Sequence, residues 1–131
     1  MIDVEPVAGR VELVSAPTGA ARRGVDALVV RVCNDSPSAW PGHPGSQLGL
    51  GVRWLDPASG AVVGEGGRAY LTEPLPAGAC RDMTLTLEPP DSIGAGRWIA
   101  RVNLLQETYY WFEAIGFPPL DVPVDVGAPS A

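Results

Sequence analysis

Few residues of this chain could perform catalysis. There is one histidine, His43, among 131 residues, and all nine basic residues are arginine, so lysine is absent. A P-loop, a Schiff base and a Ser–Lys dyad each need an ammonium group, and any Ser–His or Cys–His mechanism would have to use His43. Because His43 lies between two Pro-Gly pairs in the segment WPGHPG, we expect it in an exposed loop. The sequence therefore predicts a protein that is not an enzyme and that needs no cofactor.

The two cysteines, Cys33 and Cys80, end one predicted strand and begin another. If these strands pair antiparallel with Cys33 opposite Cys80, Arg31 lies opposite Asp82 on the same outward face. Opposed residues hold their Cβ atoms about 4.5 to 5.5 Å apart, which allows a disulfide bond after slight closure. The alternative is two free thiols on a cytoplasmic domain. A zinc site that added His43 would still lack a fourth ligand, so we expect no metal site.

Two glutamates, Glu107 and Glu113, flank the aromatic run YYWF at 109–112. Glycoside hydrolases use two carboxylates about 5 to 9.5 Å apart, so this pair could be an acid and a base. Carboxylate pairs also arise by chance on an acidic domain, and no further catalytic motif accompanies this one. A hydrolytic role is therefore the less favoured interpretation of the two side chains.

The four consecutive aromatic residues cannot all be buried by one strand, because successive side chains point to opposite faces of a sheet. If Tyr110 and Phe112 point inward, Tyr109 and Trp111 form an exposed platform, and the reverse assignment exposes the other pair. The alternative is that the segment GFPPL at 116–120 folds back over the outer pair. Exposed aromatic side chains are typical of sugar-binding, protein-contact and oligomer surfaces.

The composition argues against two classes of partner. The formal net charge is −6 and the isoelectric point is near 4.6, whereas binding to nucleic acid or to an anionic membrane relies on clustered cations. The first ten residues, MIDVEPVAGR, lack the basic start and apolar run of a signal peptide, and no apolar run is long enough to span a membrane. We expect a soluble cytoplasmic domain without nucleic-acid binding or membrane insertion, or an extracellular domain if the sequence belongs to a longer chain.

Apolar residues alternate with a period of two in several short runs, which is the pattern of half-buried strands. The main runs are Leu28, Val30 and Val32; Leu48, Leu50, Val52 and Trp54; Met83, Leu85 and Leu87; Trp98, Ala100, Val102 and Leu104; and Val122, Val124 and Val126. Weaker runs at 10–15 and 61–65 bring the total to seven or eight strands, with glycine- and proline-rich turns between them. Pro123 predicts that the last strand lies at a sheet edge or bulge. The run GEGGRA at 64–69 is not followed by a helix, so it is not a dinucleotide-binding loop.

This pattern predicts an all-β protein, an Ig-like antiparallel β-sandwich of seven to eight strands, with a barrel as the competing architecture. A regular α/β sheet is excluded because there is no crossover helix. The length fits a single domain, residues 1–131, with its core between about 10 and 126. We expect Trp54 in that core.

Three segments resemble known proteins. They are VRVCNDSPSAWPG at 30–42, LGLGVRWLDPASGAVV at 48–63 and GAGRWIARVNLLQETYYWFEAIG at 94–116. In this order and spacing, the chain resembles a family of bacterial Ig-like accessory domains that occur beside glycosyltransferases and methyltransferases of cell-surface polysaccharide synthesis. It is also similar to the four-tryptophan Ig-like domain of autophagy cargo receptors and their bacterial relatives. The chain differs in having Trp98 where the family more often has tyrosine, and in lacking the tryptophan of the second strand.

The resemblance implies an appendage to larger proteins, with no catalytic residues to transfer. Two hypotheses follow for its function. In the first, the domain recognises or positions a cell-envelope carbohydrate. In the second, it is a structural protein–protein or oligomerisation module, in which the same aromatic side chains and a sheet edge bind a partner protein or a second copy. The residues predicted to bind a ligand are Trp40, Tyr109, Tyr110, Trp111, Glu107, Glu113 and Arg68.

Overall fold

A computed structural model describes residues 8–42, 48–106 and 110–128, without the side chains of Tyr110, Glu113 and Ile115. The strands are β1 (Gly9–Ser15), β2 (Ala27–Asn34), β3 (Leu48–Leu55), β4 (Val62–Tyr70), β5 (Cys80–Thr86), β6 (Gly96–Gln106), β7 (Tyr110–Trp111) and β8 (Leu120–Val126). A 3₁₀ turn, Phe112–Ile115, follows β7. The described residues contain no α-helix, so the prediction of an all-β chain is confirmed.

The strands form two antiparallel sheets that pack into a β-sandwich. The three-stranded sheet has the order β1-β2-β5. The five-stranded sheet has the order β4-β3-β6, and β6 pairs on its other side with β8 along its first part and with β7 at its end. Within the described residues, seven strands are of ordinary length and β7 has two residues, in agreement with the predicted seven to eight. The sandwich, rather than the barrel, is therefore the architecture of this chain.

The core contains the alternate residues of the strands that the period-two pattern selected. Its large, fully buried side chains are Trp40, Trp54, Phe112, Phe117, Leu28, Leu48, Leu50, Leu71, Leu75, Leu85, Leu87 and Leu104. Trp54 is 0% exposed, as expected, and its Nε1 donates a hydrogen bond of 3.1 Å to the carbonyl oxygen of Gly66. This bond links the end of β3 to its neighbour β4.

A β-bulge interrupts the pairing of β3 with β4. Gly51 lies opposite Arg68 and Arg53 opposite Glu65, so β4 has two residues between these pairs where β3 has one. One of the two, Gly67, has a φ of 125°, a conformation that residues with a Cβ atom rarely adopt. The glycine run at 64–69 therefore lies inside β4, where it shapes a strand.

β8 forms one edge of the five-stranded sheet, which confirms the position predicted from Pro123. This proline lies opposite Ile99 of β6, and its ring nitrogen cannot donate to a further strand. Ala21, in the connection between β1 and β2, reaches the same strand through a parallel bridge to Val126. Its N–H donates to the carbonyl of Asp125 at 2.7 Å, so this connection passes from one sheet to the other.

The pairing of β2 with β5 has the register expected from the cysteines. Cys33 lies opposite Cys80 and Arg31 opposite Asp82, and the two cysteines form a disulfide bond. The bond joins neighbouring strands of one sheet, across 47 positions of sequence. Of the two alternatives, disulfide and free thiols, the structure has the disulfide.

Helices able to cross a bilayer are absent from the part of the chain that the structure describes.

Candidate functional site

Trp111 lies against the outer face of the five-stranded sheet. Its backbone pairs with Leu105 at the end of β6, and its indole ring reaches across to β3. A Cβ atom added to Gly51 would lie 2.7 Å from Cη2 of this ring, closer than real Cβ contacts allow. The absence of a side chain at Gly51 is therefore what lets the indole lie against the strand.

Two arginines flank the same ring. The guanidinium carbon of Arg53 is 4.5 Å from the centroid of Trp111, and that of Arg68 is 5.2 Å from it. Arg53 is two residues beyond Gly51 on β3, and Arg68 lies opposite Gly51 on β4. Both distances are within the range of cation–π attraction, which stabilises an exposed pair by about 0.5 to 1 kcal/mol. Residues of three strands, β3, β4 and β7, thus lie around one half-buried tryptophan. We call Gly51, Arg53, Arg68 and Trp111 the Trp111 surface.

The two guanidinium groups have different charged neighbours. Nη2 of Arg68 is 2.6 Å from a carboxylate oxygen of Glu65, and its Nη1 donates to the carbonyl of Gly67. Arg53 lies directly opposite Arg101 of β6. Partial burial, the larger cause, and the charge of Arg101 both lower the pKa of Arg53 below its usual value. The charge of Glu65 raises it. Arginine side chains are effectively always protonated in proteins, so Arg53 is a cation at neutral pH.

Two of the predicted binding residues, Trp111 and Arg68, are brought together here. The structure also supports the assignment in which Phe112 points inward, because Phe112 is 0% exposed whereas Trp111 is half-buried. Glu107 and Tyr109 lie outside the described residues, as does His43. The side chains of Tyr110 and Glu113 are likewise undescribed, so their predicted roles stay predictions.

The prediction that Trp40 binds a ligand is wrong. Its side chain is 0% exposed and its ring centroid lies 6.0 Å from that of Phe117 in the core. Nε1 of Trp40 donates to Oγ of Ser36 at 3.2 Å, and its backbone pairs with Leu75 in an isolated antiparallel bridge. The Pro-Gly pair after Trp40 predicts an exposed loop, but these contacts hold the indole in the core between the two sheets.

The residues around Trp40 form a hydrogen-bonded segment at one end of the sandwich. The side-chain amide of Asn34 donates to the carbonyls of Ser38 and Leu75, at 3.0 and 2.9 Å, and its Oδ1 accepts the N–H of Ser36. Asn34 is 0% exposed. The segment 30–42, one of the three that resemble Ig-like accessory domains, therefore shapes the end of the sandwich and offers no ligand contact through Asn34 or Trp40.

Sequence reasoning missed Gly51 and Arg53. A signal for them is present in β3, where Gly49, Gly51 and Arg53 alternate with the buried Leu50 and Val52. Two glycines on the outward face of a strand indicate that another side chain approaches the backbone closely. The sequence does not show which side chain this is, because Trp111 is 60 positions away in the chain.

The rest of the described surface offers less chemistry. No group of three or more His, Cys, Asp or Glu side chains within residues 8–42, 48–106 and 110–128 is placed to hold a metal ion. A shallow groove between Pro17 and Pro123 contains the exposed ion pair of Arg97 and Asp125. No family model, curated protein or solved structure matches this sequence in the comparisons with known proteins.

Proposed function

We propose that this chain is a non-catalytic Ig-like accessory domain that binds a cell-envelope carbohydrate at the Trp111 surface. The observation that supports this most directly is a half-buried indole with two guanidinium groups within 5.2 Å of its centroid. A pyranose ring presents C–H groups that pack on an aromatic side chain and hydroxyls that accept from N–H donors. Trp111 supplies the aromatic surface, and Arg53 and Arg68 supply planar donors beside it.

The contacts of Trp111 favour a preformed site. The Cη2–Cζ3 edge of the ring lies against Gly51, both guanidinium groups lie within 5.2 Å of its centroid, and Arg68 is in turn held by Glu65. A side chain that is already ordered loses little conformational entropy when a ligand binds. This arrangement therefore suits a module that positions a glycan for another protein.

The order of the strands supports the Ig-like part of the proposal. With the strand letters of that fold, β1, β2 and β5 correspond to A, B and E, and β4, β3, β6 and β8 correspond to C′, C, F and G. Trp54 on β3 is buried, as the tryptophan of strand C is in antibody domains. The disulfide differs, because it joins B to E within one sheet instead of B to F between sheets. This order supports the fold alone, and the accessory role in polysaccharide synthesis that we propose rests on the three resembling segments.

The disulfide also supports a location outside the reducing cytoplasm. Cytosolic thiols are usually kept reduced, whereas extracellular and periplasmic proteins retain their disulfides. We therefore favour the extracellular alternative over the cytoplasmic one expected from the first ten residues.

Titration of the full chain with a set of bacterial envelope oligosaccharides, followed by tryptophan fluorescence, tests the carbohydrate proposal. We expect one class of glycan to change the emission. Trp111→Phe should remove that change, because it removes the indole fluorophore at the site, and should weaken binding, because the smaller ring offers less stacking area. Trp98→Phe, at the opposite end of β6, is the matched control and should bind like the wild type. Failure of every glycan to bind, or equal binding by the Trp111→Phe variant, would refute the proposal.

The second candidate function, a protein–protein or oligomerisation module, has a separate observation in its favour. Exposed apolar side chains concentrate on β1 and β4, the two strands at one edge of each sheet: Leu13, Val14, Val62, Val63 and Tyr70. Apolar side chains on edge strands are typical of surfaces that pair with another chain.

A further inference from the structure

The strand β1 has one free edge. It pairs with β2 on one side, and no other strand in the described part of the chain pairs with it. The N–H of Asp35 donates to the carbonyl of Ala8 at 2.9 Å, in the same register as the β1–β2 pairs. Hydrogen-bonded and non-bonded pairs alternate in an antiparallel ladder. Gly9, Val11 and Leu13 therefore direct their backbone N–H and C=O groups away from β2, toward the free edge.

Exposed apolar surface accompanies these free backbone groups. The side chains of Leu13 and Val14 are 44% and 45% exposed. The register shift between Leu13 and Ser15 ends the regular part of the strand. The stretch available for pairing with another strand is thus centred near Val11.

The outer face of the three-stranded sheet carries a row of alternating charge. Asp82 on β5 lies opposite Arg31 on β2, and Arg31 lies opposite Glu12 on β1. Arg31 and Asp82 form an ion pair of 2.8 Å. A fourth strand next to β1 would continue the alternation if it placed a cation opposite Glu12.

A second copy of β1 can supply that cation in one register only. In a dimer, two β1 strands would pair antiparallel. The outward backbone groups of Gly9, Val11 and Leu13 can then bond to those of the other copy only if the pairing is centred on a residue of β1 and not between two residues. Centring on Arg10 places two arginines opposite each other, and centring on Glu12 places two glutamates opposite each other. Centring on Val11 places Arg10 of each copy opposite Glu12 of the other, and opposed charges on paired strands attract while like charges repel.

We propose that β1 is a self-association edge, at which two copies of this chain pair antiparallel about a two-fold axis that passes between their two Val11 residues. Their three-stranded sheets then form one continuous six-stranded sheet, and the alternating charge row runs unbroken across the interface. The interface is isologous and closes at the dimer. It lies on the three-stranded sheet, away from the Trp111 surface, and it does not depend on carbohydrate binding.

Analytical ultracentrifugation of the full chain over a range of concentrations tests the proposal. We expect the wild type to reach a monomer–dimer equilibrium, and Arg10→Glu and Glu12→Arg each to raise the dissociation constant about tenfold or more, because both cross-copy pairs become like-charged. Mixing the two variants should restore dimerisation, since each cross-copy pair of the heterodimer then joins a carboxylate of one variant to a guanidinium of the other.

The complementation by mixing separates loss of pairing from loss of folding, and thermal melting of each variant by circular dichroism provides a second check. Arg97→Glu, the same charge change on the other sheet, is the matched control and should dimerise like the wild type. A wild type that stays monomeric, a dimer insensitive to the charge reversals, or a mixture that stays monomeric would each overturn the proposal. Binding of an extended peptide from another protein by a monomeric wild type would also overturn it.

Discussion

Arg101 on β6 lies directly opposite Asp121 on β8, and its guanidinium donates two hydrogen bonds to the carboxylate, of 2.7 and 2.9 Å. The other sheet has the same arrangement in Arg31 and Asp82, with bonds of 2.8 and 3.2 Å. Planar guanidinium groups match carboxylates in this two-bond geometry, which lysine cannot provide. The arginines of this lysine-free chain thus link neighbouring strands across the outer face of each sheet.

These pairs predict how stability depends on pH. The hydrogen bonds from arginine lower the pKa of Asp121 and of Asp82. A carboxylate whose pKa is lowered on folding contributes stability above its unfolded pKa of about 3.9, and this is lost as pH falls through the folded pKa. We therefore expect the free energy of unfolding to decrease as the pH drops below about 4, and less steeply in Asp121→Asn than in the wild type.

Urea unfolding between about pH 3 and about pH 7 measures this dependence. At neutral pH, Asp121→Asn should cost about 1 kcal/mol, because the pair is partly exposed at the surface of the sheet. Asp91→Asn, at an exposed turn position, is the control and should keep the acid dependence of the wild type. If the free energy of unfolding falls with pH equally in the wild type and in Asp121→Asn, this pair does not contribute to acid unfolding.

The different burial of Trp40 and Trp111 predicts losses of stability of different size when each is truncated to alanine. Trp40 is 0% exposed in the core, so Trp40→Ala should lower the free energy of unfolding by about 3 to 5 kcal/mol. Trp111→Ala removes a half-buried ring and its two cation–π contacts, and should cost about 1 to 2 kcal/mol. Urea unfolding of both variants checks this. Losses of equal size would place Trp111 in the core and weaken its assignment as a binding residue.

The close approach at Gly51 predicts a specific effect of adding one methyl group there. The new Cβ would lie 2.7 Å from the Trp111 ring and 2.8 Å from Nη1 of Arg68, so Gly51→Ala should displace the indole from the sheet. Trp111 should then become more accessible to acrylamide, and stability should fall by about 0.5 to 3 kcal/mol.

The matched control for this substitution is Gly94→Ala, because a Cβ atom at Gly94 meets open space and its φ is not in the left-handed region. That change should leave quenching unaltered and stability unchanged or raised by about 0.4 to 1 kcal/mol. If acrylamide quenches Gly51→Ala and the control to the same extent, the position of the Trp111 ring does not depend on Gly51.

The fold could be predicted from local patterns, whereas the site could not. Alternation along a strand identifies which face is buried, so the strands, the burial of Trp54 and the edge position of Pro123 follow from neighbouring residues. Even the β2–β5 register follows, since Cys33 and Cys80 mark matching positions on two strands.

The binding surface depends on contacts between distant parts of the chain. Trp111 reaches Gly51 and Arg53 because β7 pairs with the end of β6 beside β3, and no local pattern indicates this. The prediction that Trp40 binds a ligand is wrong for the same reason, because the burial of Trp40 depends on its pairing with Leu75, 35 positions later in the chain. Aromatic residue type alone therefore did not separate a core side chain from a surface one.

The disulfide predicts a stability that depends on redox conditions. Cys33–Cys80 closes a long loop across 47 positions of sequence, and a bond of this kind stabilises a domain by about 2 to 4 kcal/mol, mainly by restricting the unfolded chain. Cys80 is exposed at the start of the edge strand β5, where a reductant can reach it. Reduction should therefore lower the urea midpoint of the wild type and leave that of the Cys33→Ala/Cys80→Ala double variant unchanged. Alkylation and mass measurement report the bond directly: two thiols labelled in the folded chain without reductant, or an equal midpoint with and without it, would exclude a stabilising disulfide.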